Sequence, residues 1–181
     1  MTSAARFRPP RARFQVGILT ATAAGYALLA YDRRWLSDDG LIVTRTVRQL
    51  LAGNGPAVNV GERAEANTST AWTYLLTATG WMTGIDLARL TVLLGIALAV
   101  TALALGLDAA RLLHSRGGAT PFVVPLGALI VVALPPFWDY ASSGLETGLT
   151  FAWIAGAWWA VVRCGAGRRL PGRVRPRSCA A

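Results

Sequence analysis

The segment Arg33-Arg34-Trp35-Leu36-Ser37-Asp38-Asp39-Gly40 (RRWLSDDG, residues 33–40) decides the predicted fold, because an apolar run ends here and a polar region begins. The run before it, Phe14 to Tyr31, has no charged residue and is about as long as a membrane-spanning helix needs to be. After it, apolar residues recur at helical spacing from Leu41 to Leu51. Ser or Asp at this position commonly caps a helix, and acids suit its first turn. We therefore predict that Asp38 and Asp39 lie at the start of a helix, just beyond an apolar span.

The composition is that of an integral membrane protein. The 181 residues are 54% hydrophobic and 15% charged, and the apolar residues come in long blocks. The net charge of +9 comes from arginines at the ends of those blocks, which membrane topology explains better than nucleic-acid binding does. The single histidine, His114, argues against a histidine metal cluster or a Ser-His-Asp triad, and the two cysteines have no metal-ligand spacing.

The predicted fold is all-α and integral to the membrane, with four transmembrane helices and interfacial amphipathic helices in the first external loop. Residues 1–13 form a basic cytoplasmic arm, residues 14–162 the membrane domain, and residues 163–181 a basic tail that is disordered or translated past a frameshift. The spans are expected at 14–31, 87–107, 122–138 and 147–162, with the external loop at 32–86. A cleavable signal peptide is the alternative for the first apolar run.

Two short segments decide this topology. Leu41–Leu51 is too short and too charged to span, and it suits a helix in the headgroup plane. Ala71–Thr83 is apolar but also short, which favours an interfacial or re-entrant helix. If Ala71–Thr83 does not span, three basic regions are cytoplasmic. They are the N-terminus, the arginine-rich tail and the loop that contains Arg111, His114 and Arg116. The positive-inside rule therefore favours four spans in the plasma membrane with an extracytoplasmic active face.

Aromatic residues and prolines add two expectations. The aromatic side chains near the outer interface suggest an aromatic belt; they are Trp35, Trp72, Trp81, Trp138 and Tyr140. The prolines Pro125, Pro135 and Pro136 interrupt the third span, which must then pack against other helices.

A second acidic loop, Asp139 to Thr147, precedes the fourth span. Ser143-x-x-Glu146 matches a capping box. Glu146 is also an ionisable residue at the edge of a membrane helix, on the same side as Asp38 and Asp39, and is therefore a functional candidate. One carboxylate of the pair could accept a proton from a hydroxyl group while its neighbour orients it or holds a cation.

The other candidates for ligand contact are charged or amide side chains on the same side. Arg33, Arg34 and Arg63 could meet a lipid phosphate. Glu62 and Arg63 belong to a polar loop that is either solvated or lines the site.

Taken together, these segments resemble a known family. The set comprises Asp38-Asp39, Gly53-x-Gly55, Asn59-x-Gly61-Glu62-Arg63-x-Glu65, Asn67-Thr68-Ser69-x-x-Trp72 and Ser142-Ser143-Gly144-Leu145-Glu146-Thr147. It resembles the N-terminal part of the actinobacterial terminal β-(1→2)-arabinofuranosyltransferases and their flagellar motor control protein-like relatives, which are membrane glycosyltransferases of the GT-C class.

The resemblance implies inverting transfer of arabinofuranose from a polyprenyl-phosphate donor to cell-wall arabinan, a polysaccharide acceptor. It implies that Asp38 or Asp39 supplies the catalytic base. Glu146, Arg33, Arg34, Glu62, Arg63 and Asn67 are then expected to bind substrate. A divalent cation, Mg²⁺ or Mn²⁺, is a possible cofactor, with Asp39 and Glu146 as candidate ligands.

Family members are several times longer, so we expect this chain alone to be an inactive fragment. Membrane lipid is an expected partner and nucleic acid is not. The alternative is a small four-span transporter or flippase-like protein, or an accessory protein. A transporter normally places ionisable residues within its spans, whereas the acids here fall in loops.

Overall fold

The structure, a computed structural model, describes residues 10–61, 69–116 and 126–167. The regular secondary structure of these residues is entirely helical, which confirms the all-α class. The helices are α1 (Pro10–Asp32), α2 (Asp38–Leu51), α3 (Thr70–Thr83), α4 (Leu87–Arg116), α5 (Leu126–Ala133), α6 (Pro135–Asp139) and α7 (Thr147–Gly167).

Helices α4 and α7 pack along each other more extensively than any other pair of described helices. Glycines allow the closest approach: a Cβ atom on Gly148 would lie 3.1 Å from the Gly95 carbonyl carbon and 3.2 Å from its Cα. Small residues that let two helix backbones approach in this way are typical of helix packing in membranes. Helix α1 packs on α4 on another side, through Tyr26 and Ala30.

One described helix is long and apolar enough to cross a membrane, by length and composition alone. It is the segment Leu87–His114 of α4, and Val16–Asp32 of α1 is a shorter apolar stretch. Of the four predicted spans, one therefore meets this criterion among the described residues. Arg111 and His114, which we expected in a cytoplasmic loop, lie instead in the last turns of α4, because the helix continues to Arg116. Helix α1 likewise begins at Pro10, inside the predicted basic arm, and α7 continues past the predicted span to Gly167.

The third predicted span is not one helix. Helix α5 ends at Ala133, Leu134 is extended (φ −94°, ψ 111°), and α6 starts at Pro135. The two prolines cause the break, since neither has an N–H to continue the α5 ladder. The predicted packing of this region against other helices is confirmed: the buried Tyr26 hydroxyl of α1 donates a 2.7 Å hydrogen bond to the Phe137 carbonyl. Pro125 lies outside the described residues.

Helix α2 is amphipathic as predicted, but protein covers much of its apolar face. Val43 and Val47 are buried in one cluster with Trp72 and Leu76 of α3 and Leu90 of α4. The prediction that Trp72 belongs to an aromatic belt is therefore wrong, since its side chain is 0% exposed. The apolar face of a helix can be buried by neighbouring helices as well as by lipid, and here neighbouring helices bury its centre.

Candidate active site

Ser37 caps α2 and places the acidic pair in its first turn, as predicted. Its backbone is extended, and its hydroxyl oxygen accepts a 3.0 Å hydrogen bond from the Gly40 N–H. Asp38 and Asp39 follow directly, both with exposed side chains. A negative charge in the first turn of a helix interacts favourably with the helix dipole. The cap thus fixes the helix end from which both carboxylates project.

The first polar loop is hydrogen-bonded to the second acidic loop. The Ser37 N–H donates a 2.8 Å hydrogen bond to the Ser143 carbonyl, and the Ser37 hydroxyl donates to the same oxygen at 3.0 Å. Two residues earlier, the Trp35 indole N–H donates to the Asp139 carbonyl at 3.1 Å. The same indole packs edge to face on Tyr140, with ring centroids 6.2 Å apart. The stretches that carry the predicted site residues Asp38, Asp39 and Glu146 therefore lie side by side.

This contact needs glycine on both sides. A Cβ atom on Gly40 would lie 2.6 Å from the Ser143 carbonyl oxygen and 3.0 Å from the Gly144 Cα. Gly144 itself has φ +90°, a left-handed conformation that favours glycine. A Cβ atom there would lie 2.7 Å from the Leu36 side chain. The α2 N-terminus and the second loop therefore touch through their backbones.

Helix α3 contributes a third distant segment. The buried Trp72 indole N–H donates a 2.9 Å hydrogen bond to the Gly144 carbonyl. A buried carbonyl without a partner is costly, so this bond from α3 stabilises the loop in addition to its contact with α2. Trp72 was not among the predicted site residues, although it ends the Asn67-Thr68-Ser69-x-x-Trp72 motif and could have been found there.

The predicted capping box at Ser143 and Glu146 is wrong. Helix α7 begins at Thr147, four residues after Ser143. The buried Ser143 hydroxyl instead donates to the Tyr140 carbonyl at 3.0 Å and accepts from the Leu145 N–H at 3.4 Å. These bonds stabilise the loop itself. Glu146 is half-buried at the start of α7, where its carbonyl accepts the first helical hydrogen bond from Thr150.

The two arginines of the opening segment point to different partners. Arg33 lies over the Trp138 ring at 5.9 Å. Arg34 lies over Tyr31 at 4.3 Å, and its Nη1 donates to the Tyr31 carbonyl at 2.8 Å. Arg34 also lines a groove at this end of the molecule, whereas Arg33 does not. The remaining predicted site residues, Glu62, Arg63 and Asn67, lie outside the described residues.

The structure adds a basic residue that the sequence interpretation missed. Arg89, in the first turn of α4, lines the same groove as Arg34. The available signal was its position: under the predicted topology it is an arginine at the outer end of a span, against the positive-inside rule. For the predicted cation, the described residues contain no cluster of three or more His, Cys, Asp or Glu side chains able to hold a metal ion.

The described part of the chain thus defines a class: an all-helical protein with one helix able to cross a membrane and an acidic pair held against a second loop. No family model and no solved structure matches it. The chain is 47% identical, over 169 residues, to the terminal β-(1→2)-arabinofuranosyltransferase of Mycobacterium tuberculosis. The matched region is 88% of this chain and 25% of the relative. It is 40% identical, over 161 residues, to the protein of the same name from Corynebacterium glutamicum. That matched region is 85% of this chain and 23% of the relative.

The chain is therefore homologous to actinobacterial terminal β-(1→2)-arabinofuranosyltransferases, which confirms the resemblance carried by its motifs. It spans about a quarter of the length of these relatives.

Proposed function

We propose that this chain carries the catalytic base of an inverting membrane glycosyltransferase of the GT-C class. The proposed reaction moves arabinofuranose from a polyprenyl-phosphate donor to cell-wall arabinan at the extracytoplasmic face of the plasma membrane. The observation that carries the proposal is the contact between Ser37, next to the acidic pair, and Ser143, near Glu146, in a chain 47% identical to a named arabinofuranosyltransferase.

The exterior of the helices supports a membrane setting. Large apolar side chains are exposed on several helices, among them Leu28 on α1, Ile130 on α5, and Trp153 and Val161 on α7. An apolar surface this extensive is unusual for a protein surrounded by water and suits contact with lipid. The candidate span in α4 lies among these helices. A multi-pass arrangement with the N-terminus in the cytoplasm is part of the proposal.

The chemistry needs one carboxylate that a sugar hydroxyl can reach. Asp38 and Asp39 are exposed at a rigid helix end, which suits a general base. The acceptor hydroxyl gives its proton to a carboxylate oxygen while its own oxygen forms a bond to C1 of the arabinofuranose. The C1–O bond to the lipid phosphate breaks on the opposite face of the sugar. The polyprenyl phosphate leaves, and the configuration at C1 is inverted.

The other predicted roles follow from position. Glu146 is half-buried near the loop that Ser37 contacts, and its proposed role is to accept hydrogen bonds from the acceptor sugar. Arg33 and Arg34 follow the end of α1, and a contact of either arginine with the lipid phosphate stays a prediction from the sequence. The roles of Glu62, Arg63 and Asn67 stay predictions from the sequence. The same holds for the cation at Asp39 and Glu146, and no step of the proposed reaction passes through it.

A chimera tests the proposal directly. The matching quarter of the Mycobacterium tuberculosis relative is replaced by this chain, and pentose addition to an arabinan oligosaccharide is followed by mass spectrometry with a polyprenyl-phosphate arabinofuranose donor. We expect the chimera to transfer the sugar. We expect Asp38→Asn or Asp39→Asn to lower the rate by roughly 10² to 10⁴, as loss of a general base does.

The matched control is Asp32→Asn, which changes an exposed acid at the end of α1. It should transfer at close to the parent rate. Full activity in both the Asp38→Asn and Asp39→Asn chimeras would show that neither carboxylate is the base, and the proposal would then be wrong.

A further inference from the structure

A groove of about 430 Å³ lies beside the candidate active site, between the end of α1 and the start of α4. Leu36, which immediately precedes the cap residue Ser37, is one of its lining residues. The Leu36 side chain also packs close to Gly144 of the second loop, where an added Cβ atom would lie 2.7 Å from it. The groove therefore adjoins the backbone contact that positions Asp38, Asp39 and Glu146.

Two arginines line this groove, Arg34 from the segment that follows α1 and Arg89 from the first turn of α4. The Arg34 guanidinium is held by the Tyr31 ring and carbonyl. The backbone of Arg89 is fixed at the start of α4, since its N–H donates a 3.0 Å hydrogen bond to the Asp86 carboxylate. Among the described residues the one salt bridge joins Asp108 and Arg111, near the other end of α4, so neither groove arginine is paired with a described acid. Guanidinium groups that line one groove can donate to the oxygens of a phosphate, which match their donor geometry.

The remaining wall of the groove is apolar. Val92 and Leu93 follow Arg89 by about one turn of α4, and Trp35 lies on the α1 side. Leu93 and Trp35 are both exposed at this wall. These α4 residues belong to the segment that is long and apolar enough to cross a membrane. The groove thus has cationic groups at the end of the span and a hydrocarbon-like surface along it, the polarity of a phosphate attached to an apolar chain.

We propose that this groove binds the phosphate of a prenyl phosphate, with Arg34 and Arg89 contacting its oxygens and Val92 and Leu93 contacting the first isoprene units. This inference rests on the proposed function for the identity of the lipid, and it adds Arg89 and the groove as the place where the donor is held. Arg33 does not share this role, because it lies over Trp138 and does not line the groove.

Binding of farnesyl phosphate to the whole chain, purified in an uncharged maltoside detergent, tests the inference without sugar transfer. We expect Arg34→Gln and Arg89→Gln each to weaken binding at least about tenfold, as loss of a charge-assisted hydrogen bond does. The control Arg48→Gln removes an exposed arginine of α2 that does not line the groove, and it should bind like the parent chain. Farnesol and inorganic phosphate should each bind at least about tenfold more weakly than farnesyl phosphate, because each lacks one half of the ligand.

Photo-crosslinking gives a second answer that needs no substitution. A farnesyl phosphate analogue with a diazirine in its first isoprene unit should label the peptide that contains Val92 and Leu93. A second, apolar cavity of about 520 Å³ provides the internal comparison, and it is lined by Leu126 and Val131 of α5 among others. Labelling confined to α5 would overturn the inference. So would binding that is unchanged in both glutamine variants, or inorganic phosphate binding as tightly as the prenyl phosphate.

The inference and the proposed function can fail separately. If Asp38→Asn and Asp39→Asn leave the chimera active but Arg34 and Arg89 are needed for prenyl phosphate binding, the groove assignment stands and the base assignment falls. If the aspartates are essential but farnesyl phosphate binds independently of both arginines, the groove assignment falls alone.

Discussion

The Ser37 N–H and hydroxyl both donate to one carbonyl oxygen, that of Ser143, at 2.8 and 3.0 Å. The two residues are 106 positions apart in the chain. Because the same Ser37 hydroxyl also accepts from the Gly40 N–H, one side chain caps α2 and joins it to the second acidic loop. The orientation of the Asp38–Asp39 turn therefore depends on a loop that is distant in sequence.

Removing the Ser37 hydroxyl should weaken both the cap of α2 and the link between α2 and the second acidic loop. We expect Ser37→Ala to lower the free energy of unfolding by about 0.5–2 kcal/mol, the usual cost of losing an N-cap side chain. The measurement is denaturant unfolding followed by circular dichroism in detergent. Ser69→Ala is the control, because Ser69 is the N-cap residue of α3 but makes no side-chain cap hydrogen bond. Equal losses in the two variants would contradict the role given to Ser37.

Gly40→Ala should separate α2 from the second loop. The added Cβ atom would meet the Ser143 carbonyl oxygen at 2.6 Å, and backbone cannot move aside as a flexible side chain can. We expect a loss of about 1–3 kcal/mol in the free energy of unfolding, together with a fall in the transfer rate of the chimera. Gly25→Ala in α1, where a Cβ atom meets nothing within 4 Å, should instead be neutral or slightly stabilising.

Trp72→Phe keeps an aromatic ring but removes the indole N–H that donates to the Gly144 carbonyl. The carbonyl is left without this partner in a buried place, and we expect a cost of about 1–3 kcal/mol in thermal or chemical unfolding. Trp81→Phe changes a side chain that is 81% exposed and should stay within about 0.5 kcal/mol of the parent. The prediction is wrong if Trp72→Phe is as mild as Trp81→Phe.

Gly148→Ala should weaken the packing of α4 against α7. A Cβ atom there would lie 3.1 Å from the Gly95 carbonyl carbon, so the helices would have to move apart. We expect about 1–3 kcal/mol of destabilisation in an unfolding titration. Gly156→Ala, on the same helix, meets only the Leu105 side chain at 4.0 Å and should be tolerated. A stable Gly148→Ala variant would show that the close approach is not needed.

Glu146→Gln tests the second acidic loop in the chimera. The substitution keeps the shape of the side chain and the backbone hydrogen bond to Thr150 but removes the charge. We expect kcat/KM for the arabinan acceptor to fall roughly tenfold or more, as expected for loss of a hydrogen bond to a charged group. Unfolding should be little changed. Unaltered kinetics in Glu146→Gln, with Asp32→Asn as the reference, would remove Glu146 from the site.

The helices could be read from the sequence because their signals are local. The apolar runs predicted α1, α4 and α7 and the first residues of α4 and α7, although α4 continues to Arg116 and α7 to Gly167, past the predicted ends at 107 and 162. The cap at Ser37 followed from its place before an amphipathic pattern. The break before Pro135 followed from the missing N–H of proline. The similarity to the terminal arabinofuranosyltransferases followed from short motifs in a fixed order.

The tertiary structure alone decided what covers each apolar face and which loops meet. A helical pattern predicts that Trp72 and Val47 lie on the apolar faces of their helices. It does not predict whether lipid or a neighbouring helix covers those faces, since both bury apolar surface. Ser143 fitted a capping box locally, yet its hydroxyl is used within the loop because α7 starts later. The contact of Ser37 with Ser143, and the groove shared by Arg34 and Arg89, join residues from different helices or loops. Their proximity comes from the way α1, α4 and α7 pack, which no local sequence pattern contains.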